Sequence, residues 1–139
     1  TILYTIPNPN HPNAHSKPQT HHPTPQQQDR GEWDAANAAL FPATRAAVEA
    51  AGAPTLEVFF ARQAPGTGIA PHTDGANFVQ TSHLGLLIPA APPGAVRIEA
   101  GVEVRGWVEG KVWVCDTSFV HSTFNGGAEV RGRWVGVLV

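Results

Sequence analysis

Along this chain the alternation of hydrophobic and polar positions changes character three times. Residues 1–6, TILYTI, form a β-prone run that fits an edge strand. Residues 7–28, NPNHPNAHSKPQTHHPTPQQQ after Pro7, are polar, proline-rich and nearly free of bulky apolar side chains. Such a segment buries too little surface to offset its ordering entropy, so it reads as a flexible loop or linker. Residues 32–51 are alanine-rich and read as helical, divided by Pro42. Proline is well placed at the first position of a helix, so a helix is predicted over 42–51, stopped by Gly52. Leu40, Phe41 and Val48 are expected to face a core, and Trp33 to pack.

After Pro54 the pattern becomes that of short strands. These are predicted over 56–63, 69–74, 78–89, 96–99, 102–105, 111–115, 120–124 and 130–139. Glycine- and proline-rich turns separate them, among them 64–68, 90–95 and 125–127. Short strands at this spacing, with little helix after residue 54, predict a mainly β fold. Its expected form is a double-stranded β-helix (jelly roll, cupin-like) with a short N-terminal helical segment. The expected organisation is an edge strand and flexible Pro/His/Gln-rich segment over 1–31, then one jelly-roll domain over 32–139. No internal repeat is visible.

Composition narrows the function classes. The 139 residues suit one domain, and a formal charge of −2 with 14% charged residues offers no basic face for nucleic acid. No apolar run is long enough to span a membrane. The chain has no initiator Met and no secretory signal pattern, which fits a fragment of a longer protein. Its one cysteine, Cys115, excludes an internal disulfide framework and fits a reducing compartment such as the cytoplasm. Without Cys-x-x-Cys pairs a structural zinc cluster is not expected.

The candidate chemistry lies in Pro71-His72-Thr73-Asp74-Gly75, with His121 and Arg131 downstream. Two imidazoles and one carboxylate can bind one face of a ferrous ion and leave three positions open. A chelating oxoacid cosubstrate and O2 fill those positions, and an Arg can grip the far carboxylate of the cosubstrate with forked hydrogen bonds. On an extended chain His72 and Asp74 project to the same side. Alone, His-x-Asp is weak, and Thr73-Asp74-Gly75 is also good turn chemistry. His83 and Thr81 share one face of their strand with Val79. Arg131 and Arg133 also share a face, so either can supply the fork; the spacing from His121 favours Arg131.

Other residues have plainer readings. His11, His15, His21 and His22 belong to a solvated insert and can bind metal adventitiously. Asp116, Thr117 and Ser118 shape the turn before His121 or support it. Trp107 and Trp113 read as core residues, one of which can border a substrate cleft. Cys115 reads as a small buried apolar residue.

The stretches APGTGIAPHTDGANF, SHLGLLIP and GWVEGKVWVCDTSFVHSTFN, with the late Arg131, resemble the aspartyl/asparaginyl β-hydroxylase family of the 2-oxoglutarate and Fe(II) oxygenase superfamily. The resemblance covers residues 54–139 well and residues 33–51 loosely. It implies a double-stranded β-helix, Fe(II) and 2-oxoglutarate as cofactors, O2 as cosubstrate, and a peptide or amino-acid substrate. It implies metal ligation by His72 and His121, a grip on the far 2-oxoglutarate carboxylate by Arg131, and a cosubstrate contact by His83. It also leaves an endoplasmic-reticulum association open.

Three departures qualify the resemblance. The animal members carry Gly where this chain has Asp74, so a complete triad of His72, Asp74 and His121 is expected here, as catalytic and metal-binding residues. A family Ser is replaced by Ala61, and a family Arg by Thr81, which leaves Thr81 beside His83 on the cosubstrate face. The leading expectation is a 2-oxoglutarate-dependent dioxygenase hydroxylating an aspartyl/asparaginyl-type side chain or a related amino acid. The rival is a non-catalytic jelly-roll binding module with a degenerate metal site. A cupin of different chemistry would group more His ligands close together.

Overall fold

Polar side chains, not a hydrophobic stripe, build the first part of the fold. The computed structural model describes residues 26–127 and 135–138. Strand β1 (Gln26–Asp29) turns back through Arg30 and Gly31, both at positive φ, into the short β2 (Glu32–Trp33). This corrects the expected linker at its end, because Gln27 and Gln28 are buried. Hydrogen bonds make the burial of the Gln28 side chain tolerable. Gln28 Nε2 donates to the Gly31 carbonyl, the Thr55 hydroxyl donates to Gln28 Oε1, and Asn37 Nδ2 donates to the Gln26 carbonyl. Thr55 and Asn37 come from other segments, so local composition gave no sign of them. The expected edge strand over 1–6 and the four histidines of the insert lie outside the described residues.

The helical stretch is shorter at its start than its alanine content suggested. Helix α1 (Ala35–Leu40) begins after Asp34, whose side chain accepts from the Asn37 backbone N–H at 2.8 Å. Helix α2 (Pro42–Ala51) starts on Pro42 and ends at Gly52, with φ 68°. Phe41, between the helices, packs its ring 4.8 Å from that of Phe60. Val48 is half-buried. Leu40 does not face the core: it is 68% exposed. Helix α1 buries Ala38, and a residue two positions further on is turned to the other side.

The remaining strands are β3 (Val58–Gln63), β4 (Thr67–His72), β5 (Gln80–Leu87), β6 (Val96–Ala100), β7 (Glu103–Gly106), β8 (Val112–Asp116), β9 (His121–Asn125) and β10 (Val135–Leu138). They lie in two antiparallel sheets, ordered β2-β1-β3-β10-β5-β8 and β4-β9-β6-β7. From β3 onward the chain passes from one sheet to the other at every connection except the β6–β7 hairpin. The fold is mainly β, and this order is compatible with a jelly roll. Val96, Ile98, Trp107 and Cys115 form the buried core, with Ala61, Ile88 and Trp113 packed against it. Several predicted strands are trimmed at their ends, including the one expected from residue 56, which begins at Val58. The segment expected over 69–74 is paired only to His72, and Phe78 lies outside β5 and is 82% exposed.

Candidate metal centre

Strands β4 and β9 bring the two distant histidines together. Their ladder pairs Ile69 with Thr123 and then His72 with His121, so β4 holds one extra residue between these pairs. The bulge falls at Ala70-Pro71, where proline has no N–H to give to a ladder. Side chains alternate in a strand, so a regular ladder would set Pro71 opposite His121 and turn His72 to the other face. With the bulge, the two imidazole centroids are 4.1 Å apart.

Each ring is fixed by the same local device. His72 Nδ1 lies 2.9 Å from the Ala70 carbonyl, and His121 Nδ1 lies 3.0 Å from the Phe119 carbonyl. With Nδ1–H donating, each Nε2 keeps its lone pair for a metal, which is how metal-binding histidines are commonly oriented. His121 is buried at 7% exposure, whereas His72 is half-buried.

Asp74 completes the group from beyond the end of β4. Its backbone N–H donates to the Thr117 carbonyl at 2.9 Å, which ties the segment to the turn before β9. His72 Nε2 lies 3.7 Å from Asp74 Oδ1. The three ligand atoms of His72, Asp74 and His121 lie within 4.8 Å of one another, so small side-chain rotations bring them onto one ion. The donor set, two nitrogens and one carboxylate oxygen, suits Fe(II). The expectation that Asp74 meets His72 through strand alternation is corrected: Asp74 lies outside the strand, and the loop contact with Thr117 delivers it. Sequence reasoning missed that role of Thr117, which is buried, and Pro71 inside a predicted strand was the available sign of the bulge.

Of the other expected site residues, His83 and Thr81 lie on β5. His83 and Thr81 both point inward from β5, across from Trp113 and Cys115 of β8. Thr81 Oγ1 lies 3.3 Å from Thr117 Oγ1, linking it to the turn that holds Asp74. The His83 ring stacks on Trp113 at 5.5 Å and lies 6.0 Å from Trp107. Burial, and after it the charge of His121, lowers the His83 pKa to about 4, so the ring is neutral at neutral pH. Burial, with Asp74 and Asp116, pushes the Cys115 thiol up, which keeps it protonated. Hydrogen bonds from Ser118 hold the Asp116 carboxyl below its ordinary value and close the turn before His121. Ala61 packs against the core. Arg131 and Arg133 lie outside the described residues.

Known proteins show which family the sequence belongs to. A family model described as Aspartyl/Asparaginyl beta-hydroxylase matches residues 6–133. Over 67 residues the chain is 39% identical to the aspartyl/asparaginyl beta-hydroxylase of Mus musculus, a match covering 48% of this chain and 9% of the mouse protein. The aspartyl/asparaginyl beta-hydroxylase of Homo sapiens is 37% identical over 67 residues, covering 48% of this chain and 8% of the human protein. The aspartate beta-hydroxylase domain-containing protein 2 of Xenopus tropicalis is 37% identical over 75 residues, 54% of this chain and 19% of that protein. The matches thus span a small part of these curated relatives' length. No helix among the described residues is long and apolar enough to cross a membrane. The family match runs over most of the sequence, and the chain belongs to the aspartyl/asparaginyl β-hydroxylase family.

Proposed function

We propose that this chain is the catalytic part of an Fe(II)- and 2-oxoglutarate-dependent hydroxylase. Its substrate is an aspartyl/asparaginyl-type side chain of a peptide, or a related amino acid. The observation that carries the reading is the convergence of His72, Asp74 and His121, with both Nδ1 atoms held by carbonyls and both Nε2 atoms left for a metal. Family membership supports a hydroxylase, since the named relatives are β-hydroxylases.

Bound here, iron and 2-oxoglutarate together supply the oxidising power to put one atom of O2 on an unactivated carbon, with succinate and CO2 as by-products. The protein's part is to bind and to exclude. His72, Asp74 and His121 would hold the ion, supplying two nitrogens and one carboxylate oxygen. Arg131 grips the far carboxylate of the cosubstrate by charge-assisted hydrogen bonds. His83, neutral and buried, serves as a contact to the same molecule without adding charge.

The test is anaerobic titration of the protein with Fe(II) and 2-oxoglutarate, followed in the visible range. A charge-transfer band that needs both components, together with substrate-dependent succinate release in air, is the expected result. Metal binding without the band or release would favour the non-catalytic binding module.

A further inference from the structure

Two members of the metal group rest on one turn. The chain reverses over residues 116–119, from the last residue of β8 to the approach to β9. The Thr117 carbonyl of this turn accepts from the Asp74 backbone N–H at 2.9 Å, and its Phe119 carbonyl lies 3.0 Å from His121 Nδ1. Asp74 and His121 come from different segments, yet a displacement of the turn moves both. Metal ligands depend on such outer partners for their orientation.

The turn is held from two sides. From within, Asp116 Oδ1 accepts from the Ser118 backbone N–H at 2.9 Å and from its hydroxyl at 2.6 Å. From outside, Thr81 of β5 sets its Oγ1 3.3 Å from Thr117 Oγ1. The β5–β8 ladder ends at the pair Gln80 and Asp116, so backbone pairing stops one residue short of Thr117. The hydroxyl pair carries the grip of β5 past that end. Thr117 is only 2% exposed, and among the described residues its hydroxyl meets that of Thr81. A buried hydroxyl that loses its partner is left desolvated and unpaired, so the contact resists opening. Packing does not ask for a hydroxyl at position 81, because valine has nearly the same shape and suits a strand equally well.

We propose that Thr81 is a positioning residue for the metal: through the Thr117 hydroxyl it holds the turn, and through the turn it sets Asp74 and His121. Thr81 thereby acts on the metal and not on the cosubstrate. This assignment rests on the metal-dependent reading above.

The experiment uses the full chain, metal-free and anaerobic. Calorimetry gives the Fe(II) Kd, and Co(II) serves as a visible probe of the ligand set. The variants are Thr81→Val, Thr117→Val, both together, and Thr81→Ser, which keeps the hydroxyl; Thr81→Ala replaces Thr81→Val if the latter does not fold. Each single valine variant is expected to weaken Fe(II) binding about tenfold, the scale of losing an outer partner of a metal ligand. The double variant should lose no more than either single one, because the same hydrogen bond is removed each time. Thr81→Ser should bind Fe(II) like the wild type. The Co(II) spectrum of Thr81→Val should move toward that of Asp74→Ala, which a general loss of stability would not produce. Folded Thr81→Val with wild-type Fe(II) affinity, with an unchanged Co(II) spectrum, or with a loss that adds to that of Thr117→Val would overturn the role of Thr81 and leave the hydroxylase reading intact. Weaker 2-oxoglutarate binding at unchanged Fe(II) affinity would likewise overturn it and make Thr81 a cosubstrate contact. Wild-type protein that takes up no Fe(II) would overturn both.

Discussion

His72 and His121 are cross-strand partners on β4 and β9, with ring centroids 4.1 Å apart. They share a face because β4 carries the extra residue at Ala70-Pro71. The bulge, and the two carbonyls that hold the Nδ1 atoms, prepare the pair for a metal by backbone geometry alone. Asp74 reaches the same place through its own backbone bond to Thr117.

Replacing a ligand should therefore abolish metal binding without unfolding the protein. Asp74→Ala and His121→Ala are expected to weaken Fe(II) binding by more than the roughly 10–100-fold typical of losing an outer hydrogen bond. Equilibrium dialysis measures this. Both variants should also lose substrate-dependent succinate release, and full turnover in either removes that residue from the mechanism.

Arg131 is expected to set the demand for 2-oxoglutarate. Arg131→Ala should raise the half-saturating 2-oxoglutarate concentration by about tenfold or more, the usual scale for losing a hydrogen bond to a charged group. If titration of activity shows no change, Arg133 is the residue to replace next.

The buried neutral imidazole of His83 gives a pH dependence with a definite sign. Its pKa is lowered on folding from 6.5 to about 4, so the folded protein resists protonation more than the unfolded chain does. The stability tied to the neutral ring is complete above pH 6.5, falls as pH drops below 6.5, and is lost once pH passes about 4. The span corresponds to about 3 kcal/mol. Urea unfolding of the metal-free protein across this range should show the slope, and His83→Gln should flatten it.

Strand β4 also depends on close backbone approach. A Cβ built on Gly68 would run into the Thr123 carbonyl of β9. Gly68→Ala should destabilise the protein by about 1–3 kcal/mol. Because Thr123 follows His121 by two residues on the same strand face, weaker Fe(II) binding is expected with it. A Tm equal to that of the wild type would show that the two strands separate freely there.

The sequence by itself determined the mainly β character, the helix over Pro42–Ala51 with its stop at Gly52, and the residue types of the candidate metal group. Those features depend on local alternation, on proline and glycine stereochemistry, and on the chemistry of the donors. It also pointed to His83, but could not distinguish an interior ligand contact from a packed histidine. Only the tertiary structure decided that Gln27 and Gln28 are interior; the Thr55 hydroxyl that meets Gln28 lies on another segment. Only it decided that Asp74 meets the histidines through Thr117, and that the indoles of Trp107 and Trp113 find no acceptor among the described residues. Ladder register and hydrogen-bond partnership join residues far apart in the chain, and no local pattern of hydrophobic and polar positions encodes them.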